Sequence, residues 1–212
     1  MTVPAASRLS EQFGQIDIYL FDQILRGRVP PGARVLDAGC GDGRNLVYLL
    51  RSATVEHYEI FGTDSDPDAI AKVRRLAAIL APSIPATNFR EEAIEEMTFP
   101  NAIADFLISS AVLHFARSDA HFESMLRGMW RALKPGGLFF CRLASSIGIE
   151  HQIKSIDGRR CLLPDGSERY LASEKLLADM TSRLGASMAD PLKTTVVQNQ
   201  RSMTTWVLRK DV

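Results

Sequence analysis

Short apolar runs alternate along this chain with segments whose apolar residues recur every three to four positions. That alternation predicts βα units arranged around a parallel sheet. Residues 10–26 carry Phe13, Ile16, Leu20 and Ile24 on one stripe and predict one amphipathic helix, ending before Pro30-Pro31-Gly32. Residues 33–37 read as a short buried strand, followed by a glycine-rich turn and a helix over about 44–51. A second strand covers 58–62. Asp66-Pro67 then supplies an N-cap and a proline at the first helical position, and Ile70, Val73, Leu76, Ala77 and Leu80 form the stripe of the helix that stops at Pro82. A weak third strand falls at 86–90, and an almost wholly apolar fourth at 104–109 suits a central parallel strand. A helix over 118–133 has Phe122, Met125, Leu126, Met129, Trp130 and Leu133 on its core face. Lys134-Pro135-Gly136-Gly137 separates it from a fifth strand at 138–143. Beyond this the pattern changes to a hairpin over 158–171, a helix from a Ser173 cap to Leu184 closed by Gly185, and two β-rich stretches at 192–197 and 203–208. The five residues between those stretches are too few for a helical crossover, so the pair is expected to be antiparallel. The fold class is therefore α/β: a doubly wound sheet, mostly parallel with an antiparallel last strand, and helices on both faces.

The 212 residues fit one domain, and 46% apolar with 24% charged is ordinary for a globular chain. Lys plus Arg and Asp plus Glu each number 25, a net charge of zero, which argues against a phosphate-backbone partner or an anionic membrane surface. No apolar run is long enough to span a bilayer, and residues 1–9 carry one arginine and no apolar block, so neither membrane nor secretory targeting is expected. Cys40, Cys141 and Cys161 are odd in number and widely spaced, which excludes a disulfide scaffold and a metal finger. Reduced thiols in the cytoplasm follow as the expectation.

The chemistry concentrates in Val35-Leu36-Asp37-Ala38-Gly39-Cys40-Gly41-Asp42-Gly43-Arg44-Asn45. A buried strand runs into a turn with glycine at alternate positions, where a ligand can approach the main chain, and a helix N-terminus is expected directly after it. Asp64 stands at the end of the second strand, 21 residues beyond Gly43, where a carboxylate can accept both ribose hydroxyls of an adenosine. The dinucleotide fingerprint needs Gly-x-Gly-x-x-Gly, but Gly39-x-Gly41-x-Gly43 is one residue shorter. Asp37, two residues earlier, would repel a pyrophosphate yet accept hydrogen bonds from an ammonium. A methionine-type zwitterion, its carboxylate near the backbone amides, fits better, which points to S-adenosylmethionine rather than NAD.

Residues 35–43 (VLDAGCGDG) resemble motif I of the class I S-adenosylmethionine-dependent methyltransferases, and Asp64 matches the acidic residue of their second motif. Pro100–Asp105 with Ile108–His114 resembles their fourth-strand region, and Trp130–Gly137 is similar to the turn before their fifth strand. These matches run in order over 33–143. Gly41–Asn45 also looks like the tellurite-resistance branch of that family. The resemblance implies a Rossmann-like fold, and a cofactor site of Asp37, Gly39, Cys40, Gly41, Asp64, Ser65, Ala93, Ile94 and Ser110. In it Gly39 and Gly41 face the methionyl part, and Ser110 lies beside the sulfonium. The family's adenine-binding Asp-Ala falls on Ala93-Ile94, so the carboxylate that receives the adenine amino group is missing; Glu92 or a water is the expected substitute, with the Ile94 N–H still available. Asp105 matches a position that is usually structural.

A bound sulfonium already carries an electrophilic methyl, so the protein must chiefly position the nucleophile and exclude water. A general base is needed only for an acceptor that is protonated at neutral pH. Ser110, His114, Ser145, Ser146, Glu150 and His151 lie near the ends of strands four and five, and His114 and His151 are the candidate bases. No third ligand joins His114 and His121, so no metal is expected. The 158–171 hairpin, with Arg159, Arg160, Arg169 and Tyr170, is a candidate lid, and Phe13, Tyr19 and Phe21 a candidate pocket wall. One methyltransferase domain over 1–212 is expected, divided into a helical cap (1–32), a cofactor core (33–143), a substrate-side insertion (144–171) and a last helix with its strand pair (172–212). The expected function is methyl transfer to a small-molecule acceptor at O, N, S or a metalloid, by a monomer or homodimer. The alternatives are an RNA- or protein-modifying methyltransferase and a non-catalytic or NAD(P)-binding protein of similar fold.

Overall fold

In the chain's computed structural model the backbone is described for residues 5–212 and the side chains from residue 9 onward. The leader-free expectation therefore falls almost entirely on side chains outside the described residues. Two helices come first, α1 (Ala5–Phe13) and α2 (Ile18–Leu25), in place of the single helix expected. The stripe continues through the break, but Gly14 takes a left-handed φ of 63°, and the Asp17 carboxylate caps α2 by accepting the Tyr19 N–H at 2.9 Å.

The core follows as β1 (Arg34–Ala38), α3 (Val47–Glu56), β2 (Glu59–Asp64), α4 (Pro67–Leu80), β3 (Phe89–Glu91), β4 (Ala104–Ser110), α5 (Asp119–Ala132) and β5 (Leu133–Ala144). Then come β6 (Lys154–Asp157), β7 (Arg160–Leu162), β8 (Glu168–Tyr170), α6 (Glu174–Arg183), β9 (Ala186–Met188), β10 (Lys193–Val197) and β11 (Arg201–Lys210). Across the main sheet the order is β3-β2-β1-β4-β5-β11, with β10 and β9 sharing the outer edge of β11. β3, β2, β1, β4 and β5 are mutually parallel, and β11 runs against its neighbours. This is the Rossmann-like sheet expected, with one antiparallel strand near its edge.

Successive residues of the central strands feed opposite faces. Val35, Phe106, Ile108, Leu138, Phe140 and Val207 pack on the α2–α3–α4 side. Leu36, Leu107, Phe139, Cys141, Trp206 and Leu208 pack on the α5–α6 side. Burial on both faces is why these strands read as continuous apolar runs.

Three local departures have physical causes. α3 begins at Val47, not 44, because the turn tightens through Gly43 N–H to Cys40 O (3.0 Å) and Leu46 N–H to Gly43 O (2.8 Å). Lys134–Gly137 does not interrupt the fifth strand but forms a bulge within it: Ala104 faces Leu133 while Phe106 faces Leu138. The hairpin gains a third strand, β6, and β9 had no alternating pattern to reveal it.

The N-terminal helices are tied to the far sheet edge through Asp190, which accepts from Gln23 Nε2 (3.0 Å), Arg26 Nη1 (2.9 Å) and Arg28 Nη1 (2.8 Å). Burial alone would raise this carboxyl, but those bonds outweigh it and hold it below the usual range. The stabilisation is present above the unfolded carboxyl value of about 3.9 and is lost as the pH falls through the lower folded value. Asp190→Ala strands the buried Gln23 amide and Arg28, and should destabilise the fold by about 2 kcal/mol in denaturant melts at pH 7. An unchanged midpoint would mean that the tie contributes nothing.

Candidate functional site

Two cavities open beyond the carboxyl ends of the parallel strands, the place where open α/β sheets bind ligands. The first, of about 470 Å³, is bounded by Gly39 after β1, by Asp64 and Ser65 after β2, and by Ala93, Ile94 and Glu95 after β3. Ala111, Val112 and Phe115 after β4 close it, together with His121 and Met125 of α5. Asp64 is held by accepting the Gly41 N–H (2.9 Å) and the Asp66 N–H (3.0 Å). The segment Ala93–Glu95 is fixed by close helix contact: a Cβ at Gly128 of α5 would lie 2.4 Å from the Ile94 carbonyl oxygen.

Near the end of β1, two residues before Gly39, Asp37 is buried, and neither carboxylate oxygen has a hydrogen-bond partner among the described residues. Burial pushes its carboxyl up to about 7 against the pull of Arg44, with the Asp64 charge adding to the rise. A buried carboxylate without a partner is costly, and a cation delivered by a ligand relieves it. Some of the turn amides are already engaged. Gly39 and Cys40 both donate to Thr63 O (2.8 and 2.9 Å), and Gly41 donates to Asp64. Gly41 itself has open space where a Cβ would stand, so a ligand can pass close over it.

The second cavity, of about 270 Å³, lies between the end of β5, the β7–β8 hairpin and the start of β11. It meets the first at Ala111, whose left-handed φ of 66° turns the chain away from β4 while its N–H donates to Arg142 O at 2.7 Å. His114 lines the second cavity, and its Nδ1 accepts the Ala144 N–H at 3.3 Å. The ring proton therefore sits on Nε2. Burial, helped by the Arg169 charge, lowers its pKa to about 4. A neutral imidazole in this tautomer donates a hydrogen bond and does not take up a proton, so the base role expected of His114 does not follow.

The N-terminal segment reaches the site through Asp17. The fully buried Asp17 carboxylate accepts from Ser110 Oγ (3.2 Å) and Arg142 Nη1 (3.1 Å), and Arg44 Nη2 donates to Ser110 Oγ (3.2 Å). The Arg142 guanidinium also lies over the Tyr19 ring, 5.3 Å from its centroid. Tyr19 thus contacts a residue of the second cavity but lines neither cavity itself, and Phe13 and Phe21 pack with Tyr48.

Of the expected cofactor residues, Gly39, Asp64, Ser65, Ala93 and Ile94 line the first cavity; Asp37, Gly41 and Ser110 do not, though Asp37 lies two residues before Gly39, Gly41 donates to Asp64, and Ser110 directly precedes Ala111. Cys40 turns its sulfur toward Gly62 in the core, and burial raises its thiol far above the usual range, so only its backbone belongs to the turn. Glu92 is spent on Thr98, whose N–H it accepts at 2.9 Å. The carboxylate next to Ala93-Ile94 in the cavity is Glu95 instead, paired with His121 Nε2 at 2.8 Å. Its only sequence signal was its place one helical turn beyond Glu92, and the short 3₁₀ turn at 94–96 carries it inward. His151 is exposed after β5 and lines neither cavity. Of the four hairpin residues, only Arg169 lines the second cavity. Arg160 pairs with Glu168, while Tyr170 is buried on Phe122 with its hydroxyl donating to Asp119, and Arg159 approaches the same carboxylate. Among the described residues no three His, Cys, Asp or Glu converge as a metal site.

Residues 35–137 match the family model described as a methyltransferase domain. An uncharacterized methyltransferase of Synechocystis sp. is 30% identical over 111 residues, covering 52% of this chain and 47% of that protein. The chain spans about half the length of the curated relatives it matches. Among solved structures, a SAM-dependent methyltransferase of Methanosarcina mazei superposes with a TM-score of 0.72 at 17% identity, over 89% of this chain and 97% of that one. The 1,6-didemethyltoxoflavin-N1-methyltransferase of Burkholderia thailandensis, solved with its acceptor and S-adenosylhomocysteine, gives 0.68 at 17% identity over 98% and 83%. These structural likenesses show the fold.

Proposed function

Because this chain belongs to the class I S-adenosylmethionine-dependent methyltransferases, we propose that it binds S-adenosylmethionine in the first cavity and methylates a small molecule held in the second. The observation that carries the reading is Asp37, a buried carboxylate with both oxygens unpartnered beside a glycine turn. It suits an amino-acid ammonium and opposes a pyrophosphate, which disfavours NAD(P). Asp64 takes the ribose hydroxyls. Ala93–Glu95 takes the adenine edge, with the Ile94 N–H donating and the Glu95 carboxylate accepting. With the Gly39, Cys40 and Gly41 amides engaged, the Arg44 guanidinium beside Ser110 takes the methionyl carboxylate.

When bound, the cofactor supplies an electrophilic methyl carbon. The protein supplies position: Ser110 and Ala111 hold the junction of the two cavities, Asp17 and Tyr19 shield it from water, and His114 donates through Nε2 to the acceptor. We assign His151 no catalytic part. An acceptor cavity of about 270 Å³ favours a small molecule over RNA or a protein chain. Residues 33–143 then act as the cofactor core, with 1–32, 144–171 and 172–212 shaping the acceptor side. Three free, buried cysteines fit a reducing, cytoplasmic compartment.

Calorimetry should show S-adenosylhomocysteine binding and no NAD binding, and Asp64→Ala should weaken the former at least tenfold. NAD binding without S-adenosylhomocysteine binding would overturn the reading. Full affinity in the folded Asp64→Ala variant would refute the ribose assignment alone.

A further inference from the structure

The second cavity carries an uncompensated positive charge. Arg142, Arg169 and Arg201 line it against a single carboxylate, Asp165. Asp165 is already occupied, accepting the Ser167 N–H (3.0 Å) and hydroxyl (2.6 Å). Those bonds, and then the Arg201 and Arg169 charges, hold its carboxyl below the usual range. Among the described residues neither Arg169 nor Arg201 pairs with a carboxylate. The Arg169 guanidinium rests on the Phe115 ring at 5.0 Å, a contact that positions it without neutralising it. Arg142 spends one nitrogen on Asp17, yet its Nε is buried with no partner.

The remaining lining is apolar, with Leu163 from the hairpin, Val197 from β10 and Met203 from β11. A bare inorganic oxyanion would leave that surface unused, whereas a carbon skeleton covers it. An acceptor that arrives already deprotonated also suits a site whose histidine donates a proton bond and offers no base.

We propose that the second cavity is the subsite of a small organic carboxylate. Its anionic group lies between Arg169 and Arg201, and its apolar skeleton lies against Leu163, Val197 and Met203. The assignment rests on the methyltransferase reading above and narrows its acceptor to small carboxylic acids. Planar guanidinium groups are matched to such an anion in shape as well as charge.

The test is titration of the protein, loaded with S-adenosylhomocysteine, with benzoate and octanoate. Benzamide, octanamide, octyl phosphate and selenite serve as comparison ligands. Expected is binding of at least one carboxylate at least tenfold tighter than its amide. Arg201→Gln should weaken it about tenfold and Arg169→Gln similarly, with S-adenosylhomocysteine affinity held in Arg201→Gln. Arg201 is exposed and makes no side-chain bond among the described residues, so its variant reads charge rather than folding. Equal affinity for acid and amide, unchanged binding in Arg201→Gln, or preference for octyl phosphate or selenite would each overturn the proposal. Failure of both carboxylates to bind the loaded protein would overturn it while leaving the cofactor reading intact. Failure of S-adenosylhomocysteine itself to bind would remove both.

Discussion

Asp37→Asn is expected to stabilise the free protein while lowering its affinity for S-adenosylhomocysteine at least a hundredfold. The two effects share one cause. A buried carboxyl moved from 3.8 to about 7 costs the folded state about 4 kcal/mol once ionised, even with the Arg44 charge partly offsetting the burial. The sign follows from linkage. The folded value is raised, so between pH 4 and 7 the unfolded chain loses its proton while the folded one keeps it, and stability falls over that window. Asparagine removes this penalty but keeps a buried amide in need of partners, so a net gain of about 2 kcal/mol is expected at pH 8. Most of the gain should vanish near pH 4. Binding moves the other way, because the ligand's ammonium requires the ionised carboxylate. The wild-type affinity should weaken about tenfold per pH unit below 7, and the asparagine variant should be flat. Parallel melts and calorimetry over pH 5–8 measure both. Unaltered binding in the variant would place the ammonium elsewhere.

Gly39→Ala should weaken S-adenosylhomocysteine binding at least thirtyfold and lower the melting temperature by several degrees. Gly39 has φ of +82°, where an L side chain costs about 1–2 kcal/mol. The added Cβ would also stand 2.4 Å from Val112 Cγ2. Val112 lines the first cavity one residue from the Ala111 junction, so relief of the clash displaces the wall of that cavity beside the junction. Combining the change with Val112→Ala relieves the overlap but leaves the backbone strain, and should recover part of the melting temperature. Wild-type affinity in Gly39→Ala would show that this backbone position is not close to the ligand.

Much of the sheet was legible because its signals are local. Strands buried on both faces are runs such as residues 104–110, and the Asp66–Pro67 start of α4 is written in two adjacent residues. Departures arose where a local pattern carried no record of its neighbour. The apolar stripe runs unbroken through Gly14, yet the chain turns there because Asp17 is drawn to Ser110 and Arg142. Pro135–Gly137 looks like a break but is a bulge, since β4 continues to pair on both sides of it. His114 reads as a base until the Ala144 N–H of β5 settles which nitrogen carries the proton.

The sequence by itself determined the parallel α/β order and brought forward the residues proposed for the cofactor site. Asp37, the alternate glycines and Asp64 lie at the ends of adjacent strands, where short-range geometry places them together. Only the tertiary structure decided what lines the neighbouring cavity. Arg142, Arg169 and Arg201 come from β5, β8 and β11, and no periodicity links them. They converge because β11 pairs antiparallel with β5, bringing Met203 opposite Ala144, while the hairpin folds back onto the same end. Charge that sums to zero along the chain thus becomes local positive charge in space, where distant segments meet.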